Sequence, residues 1–368
     1  MREIDRPEQL VAVLESRSSL RGSRFQDLDL TAHRALLLAR SDYGGVVVLG
    51  GRIDAELEVH VRSHGAIVFP ATHGAPINPY RSALYSPMEL YAGVTDAGYA
   101  ATPDARAYHW ARDASLAHDA YVGVLRALHD EAMADALVEL LDGLPTVGIM
   151  GGHAAQRGSV AFADAARLGH ALADAGCVVL TGGGPGAMEA ANLGALAPTL
   201  ASLEAALVDL ARVPSFRPDI SAWAELALTV RSTLTPHHSP SGPARPRSVG
   251  IPTWFYGHEP PNVFCDAIAK YFSNALREDS LLARSTQGIV VLPGAAGTVQ
   301  EIFQAATPLY YAPEDAPLPP LILVGVEHWT HTVPLWPALI ALGAGRRMAG
   351  SIHLVDGVDP AASLIRGE

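Results

Sequence analysis

The sequence predicts an α/β protein whose main domain is a doubly wound parallel sheet of Rossmann-like type, preceded by a smaller α/β domain. Three observations carry this. Residues 178–194 (VVLTGGGPGAMEAANLG) read as a buried strand that ends in a glycine turn and opens a helix. Residues 289–304 (IVVLPGAAGTVQEIFQ) repeat that order further along. Around both, short apolar runs alternate with stretches of helical spacing, the pattern of parallel strands joined by crossover helices.

Taken in order, residues 1–110 form the smaller domain, with strand-like runs GVVVL at 45–49 and AIVF at 66–69 between Gly- and Pro-containing turns. Residues 111–142 form a connecting helix, in which Leu125, Leu128, Ala132, Ala136 and Glu139 recur at helical spacing without a proline. The domain at 143–368 opens with TVGIM at 146–150 and the loop GGHAAQRG. A helix follows with Ala161, Ala165, Leu168 and Leu172 on one face, closed by Gly176. Later strands are expected at 248–251, 288–292 and 321–324, and helices at 263–276, 298–309 and 334–341. Residues 198–247 contain two helix-like pieces and then TPHHSPSGPARPR, and read as an insertion outside the core.

A formal net charge of −12 over 368 residues and a pI near 5.6 argue against a nucleic-acid partner, which requires basic surface to displace counterions. A small anionic ligand needs only a local positive site. The two cysteines, Cys177 at a predicted strand start and Cys265 in a predicted helix, have no metal spacing and read as reduced thiols. With no leader-like or membrane-spanning apolar run, the expectation is a cytoplasmic protein with no membrane partner. No cofactor and no metal are expected. Lys270, the only lysine, falls in a predicted helix ahead of the second glycine loop, a poor setting for pyridoxal chemistry, and GGHAAQRG lacks the dinucleotide spacing.

Glycine loops at strand ends that feed helix N-termini are suited to anions. The first N–H groups of a helix have no partner within it, and the helix dipole adds positive potential there. Each loop alone also fits a tight turn that binds nothing.

The pair GGGPGAMEAA (182–191) and PGAAGTVQE (293–301) resembles the two signature motifs of the Lonely Guy (LOG) family, formerly mislabelled lysine decarboxylases. With VGIMGGH (147–153) and GHEPPN (257–262), the likeness is closer to the bacterial pyrimidine/purine nucleotide 5′-monophosphate nucleosidases, and it covers about residues 146–311. The resemblance implies a nucleoside monophosphate substrate, hydrolysis of its N-glycosidic bond to free base and ribose 5-phosphate, and a homodimer or homotetramer.

On the same basis, Glu301 falls on the motif's catalytic glutamate; a carboxylate there can stabilise an oxocarbenium-like state or activate water. Thr298 and Glu301 also spell a capping box, so both readings stand. Gly294, Gly297 and Thr298 are expected to cradle the 5′-phosphate, and Gly182, Gly183, Gly184 and Gly186 to lie near ribose and phosphate. Ala295 replaces a family glycine and would clash if the turn needed positive φ. The family's arginine aligns with Glu278 by ungapped counting. Arg277, one place earlier, is the candidate, with Arg284 as fallback and an ion pair with Glu278 or Asp279 as the plain alternative. His153 is placed against phosphate or ribose, and Glu259 and Asn262 on the base or ribose side. The competing class is a nucleotide-sensing protein of the same fold, which binds without cleaving.

Overall fold

The computed structural model describes residues 2–69, 71–72, 74–235, 245–255 and 259–368. The chain divides into two compact units, Met1–Ala83 with Ser115–Ala136, and Leu84–Ala114 with Leu137–Glu368.

The first unit holds a four-stranded parallel sheet in sequential order, β1 (Arg2–Ile4), β2 (Ser23–Gln26), β3 (Val47–Leu49) and β4 (Ile67–Phe69). Ile4, Phe25, Val48 and Val68 align across it and meet Leu10, Leu14, Leu57 and Val61 from the helices Pro7–Glu15 and Ala55–Ser63 in one core. The runs at 45–49 and 66–69 are thus β3 and β4. The polar strands β1 and β2 gave no apolar signal.

The second unit is built on seven parallel strands: β5 (Thr146–Met150), β6 (Val178–Thr181), β7 (Ser248–Gly250), β8 (Ala267–Ile268), β9 (Ile289–Val291), β10 (Leu321–Val324) and β11 (Ile352–Val355). Their spatial order is β11-β10-β9-β5-β6-β7-β8. Chain order runs outward from β5 to β8 on one side, then restarts at β9 on the other. The direction of winding therefore reverses between β5 and β9, and in open parallel sheets the crevice beyond the strand ends at such a reversal is where ligands bind. Strands β5, β6, β9 and β10 are buried along their whole length, which is why they read as unbroken apolar runs.

The helix Val160–Asp174 is capped by Ser159, whose hydroxyl accepts from Phe162 N at 3.2 Å, and ends before Gly176 at φ +86°. It packs on the helix Ala187–Leu196, and the two backbones come unusually close. A Cβ on Gly194 would overlap the Ala166 carbonyl, and one on Gly169 the Ala191 carbonyl. This contact holds the helix after the first glycine loop firmly under the sheet.

Three expectations need correction. Residues 263–276 are not a helix: β8 pairs with β7 there, and Asp266 Oδ2 accepts from Arg247 N at 2.7 Å and Ser248 N at 3.2 Å. Lys270 and Cys265 therefore lie outside any helix, which begins only at Asn274–Arg284 behind the Ser273 cap. The helix expected at 298–309 is Ala296–Tyr311, starting two residues earlier. The stretch 198–247 is partly core, since its helices Leu200–Leu210 and Ile220–Leu234 bury Leu210 and Trp223. Residues 236–244 of that stretch, with His237 and His238, lie outside the described residues.

Boundaries also differ from the expected 1–110, 111–142 and 143–368. The connecting helix is Ala120–Leu141. Residues 84–114 group with the second unit, bound to it by Tyr91 Oη donating to Pro261 O at 2.6 Å and by a buried Lys270–Asp104 pair at 2.6 Å. Asp104 also accepts from Trp254 Nε1 at 2.9 Å and from the Tyr99 hydroxyl.

Candidate functional site

Three loops leave the sheet side by side at the reversal point: 151–153 after β5, 182–186 after β6 and 292–297 after β9. They are tied by backbone. Gly152 N donates to Pro293 O at 3.1 Å, and Ala187 N to Gly152 O at 3.2 Å. The first loop thus bridges the two glycine loops, which face the same crevice.

The loop after β6 is shaped by polar groups behind it. Gly183 stands at φ +69°, where a Cβ would strike Pro252 Cδ at 2.7 Å, so glycine is required. Thr181 Oγ1 accepts from Gly183 N at 3.0 Å and donates to Asn192 Oδ1 at 2.7 Å. Asn262 closes the set, its Nδ2 donating to Gly184 O at 3.1 Å and to Asn192 Oδ1 at 2.9 Å, its N–H to Gly183 O at 2.8 Å. Asn262 is fully buried, so it braces the loop from behind instead of lining a ligand as expected. In front, a Cβ on Gly182 would lie 2.7 Å from Met188 Sδ and 3.6 Å from Arg277 Nη1, and one on Gly184 would lie 3.5 Å from Glu259 Oε2. The bare loop backbone leaves room for these side chains.

The loop after β9 feeds the helix Ala296–Tyr311. Ala295 is its N-cap residue at φ −113°, an extended conformation open to any L residue, so the family's glycine is not needed there. No side chain caps this helix, Ala295 to Gly297 are exposed, and a Cβ on Gly297 would meet nothing within 4 Å. Donors of the first turn therefore face open space. Thr298 is buried, and its Oγ1 sits where a Cβ of Gly294 would be. As the third helical residue, Thr298 is not the N-cap, which removes the capping-box reading of Glu301.

Glu301 instead turns toward the preceding helix. Arg277 Nη1 donates to Glu301 Oε1 at 3.0 Å, Arg277 Nη2 to Asn274 Oδ1 at 3.1 Å, and Glu278 Oε1 is more distant from Arg277 at 3.6 Å. Glu278 is occupied by Asn274 Nδ2 at 2.8 Å and Gln300 Nε2 at 2.6 Å. Of Arg277, Glu278 and Arg284, it is Arg277 that bonds Glu301. Arg284 ends its helix, where its carbonyl accepts from the Thr146 hydroxyl. Arg277 Nε is buried without a hydrogen-bond partner among the described residues. Burial raises the Glu301 carboxyl above its ordinary value; Arg277 opposes this, while the negative charges of Glu278 and Glu259 add to it.

At the other end of the first glycine loop, His153 Nδ1 lies 3.1 Å from Glu259 Oε1. Gly257 and His258 of GHEPPN lie outside the described residues. Sequence reasoning missed two supports. Glu189 is buried against Arg157, whose Nε donates to it at 2.9 Å, so its role goes beyond meeting the helix dipole. Beside it, a cavity of about 220 Å³ is lined by His153, Gly186, Phe216, Arg217 and Trp223, so the supposed insertion forms a wall next to the loops.

Fold and site define a parallel α/β protein with paired glycine loops at the reversal of a Rossmann-like sheet. Residues 144–199, which include β5, the first glycine loop and its helix, match the SLOG cluster4 family. The molybdenum cofactor binding protein of the phototrophic bacterium Rippkaea orientalis aligns over 61% of this chain and 98% of its own, at 17% identity and a TM-score of 0.37. No curated protein matches the chain. Among the described residues, no helix is long and apolar enough to cross a membrane.

Proposed function

We propose that this protein hydrolyses the N-glycosidic bond of nucleoside 5′-monophosphates, releasing free base and ribose 5-phosphate. The observation that carries this reading is the Arg277–Glu301 pair at 3.0 Å, which lies beside Gly182 of the first glycine loop, with Glu301 on the helix that the second loop opens. The uncapped helix start at 295–297 offers its N–H groups to the phosphate. Glu301, free of any capping duty, would act on the ribose as cation stabiliser or as base toward water. Arg277 opposes the protonation that burial favours at Glu301, and its buried Nε has no hydrogen-bond partner among the described residues. The SLOG cluster4 match lies in a superfamily that includes the LOG proteins, and supports nucleotide-related binding or modification.

The test is incubation of purified protein with AMP, GMP, CMP and UMP, with free base followed by chromatography. Base release that disappears in Glu301→Gln supports the proposal. Measurable binding with no base from any of the four points to the sensing protein. The two sequence arguments for a sensor, Ala295 and a displaced arginine, lose force with Ala295 at negative φ and Arg277 against Glu301.

A further inference from the structure

Glycosidic cleavage needs more than a stabilised sugar cation, because a nucleobase leaves poorly as an anion and departs readily once protonated. A guanidinium does not give up its proton, and in the proposed reaction Glu301 acts on the sugar or the water as a carboxylate, so the leaving base needs another donor. Two described histidines border the glycine loops: Nε2 of His328 is taken up by Gly294 O at 3.0 Å, which leaves His153 as the one to exchange a proton with a ligand there.

Its setting is that of a held imidazole. The His153 backbone is pinned, since Ala187 N bonds to Gly152 O and a Cβ on Gly186 would meet the His153 carbonyl at 2.7 Å. The ring is oriented by Glu259, whose Oε1 lies 3.1 Å from Nδ1, so Nε2 is the nitrogen left for a ligand. The ring is also 57% exposed and lines the cavity walled by Phe216 and Trp223, which offers a departing base a place to stand. Glu259 reaches both ways: its second oxygen borders Gly184, and its charge is felt by Glu301.

We propose that His153, oriented by Glu259, is the general acid that protonates the leaving base; this rests on the nucleosidase reading. The C1′–N bond breaks with its electron pair going to the base nitrogen, and the Nε2 proton of protonated His153 passes to the base. Water adds to C1′ and gives its proton to the Glu301 carboxylate, from which solvent returns it to the imidazole. One water is consumed and nothing is oxidised or reduced.

The experiment compares AMP with ribose 5-phosphate carrying 4-nitrophenolate at C1, a leaving group that needs no proton. For His153→Gln, kcat on AMP is expected to fall about 10²–10⁴-fold while nitrophenolate release stays within a few-fold of wild type. Glu259→Gln shows the same contrast in weaker form, and Glu301→Gln loses both reactions. Equal losses on both substrates, or a rise in KM alone as expected of a phosphate ligand, overturn the acid role and leave the nucleosidase reading standing. A wild type that cleaves neither substrate removes both.

Discussion

Arg277 and Glu301, on consecutive helices of the second unit, meet at 3.0 Å in a largely buried pair. The carboxyl is pushed up by burial and by the charges of Glu278 and Glu259, and the guanidinium is the group that opposes this. Acting as a carboxylate, it makes kcat fall as pH drops through a value above the ordinary glutamate 4.5, and a pH–rate profile on AMP locates that limb. Stability runs the other way. The folded carboxyl keeps its proton to higher pH than the unfolded one, so its stabilising contribution is lost as pH rises through the folded value. Glu301→Gln is therefore expected to lose about 10²–10⁴-fold in kcat while matching or exceeding wild-type stability at neutral pH. An acid limb at or below the ordinary value would exclude this role for Glu301.

Replacing Arg277 with Met keeps the length and apolar stem of the side chain and removes the charge. The acid limb should then move to higher pH, because the group that lowers the Glu301 pKa is gone. At the optimum, a loss of about 10²–10³-fold in kcat is expected for one missing charge-stabilising donor. An unshifted limb would show that the two side chains are not coupled in solution.

Why Arg277 was ambiguous in the sequence, while the glycine loops were not, has a physical cause. The loops announce themselves through local backbone demands, such as the positive φ of Gly183 and Gly186. An arginine on a helix depends on register, and one residue turns a side chain by about 100°. Partners far apart in sequence leave no local trace at all: Asn262 bracing Gly184, Arg157 under Glu189 and Asp104 against Lys270 are separated by 78, 32 and 166 residues. The false helix at 263–276 arose because only Asp266 and Lys270 interrupt the apolar run VFCDAIAKYF, and they stand four apart, the spacing of one helix face. β8 is an edge strand, yet Val263, Phe264, Cys265 and Ile268 are all buried, which removes the alternation that would distinguish so short a strand from a helix.

The open start of the helix Ala296–Tyr311 gives a test of anion binding that leaves the fold alone. Gly297 has free space around it and lies in the first turn, where an acidic residue favours the helix dipole. Gly297→Asp should keep or slightly raise the melting temperature. Its carboxylate would nevertheless occupy the place proposed for phosphate, and KM for AMP should rise at least about tenfold through like-charge repulsion. Unchanged KM would move the phosphate elsewhere.

Asp104 makes a second, independent claim on the fold. It is fully buried, and it compensates Lys270, the one lysine of the chain, whose charged form burial disfavours and Asp104 supports. Asp104→Ala leaves that ammonium without its counter-charge and strips Trp254 Nε1 and the Tyr99 hydroxyl of an acceptor. Breaking a buried pair from one side should cost about 3–5 kcal/mol, read as a shift of the urea midpoint. Removing both charges with Asp104→Leu and Lys270→Met together should recover a good part of that loss, since the largest penalty is the stranded charge. A double variant as unstable as Asp104→Ala would instead assign the loss to the Trp254 and Tyr99 hydrogen bonds.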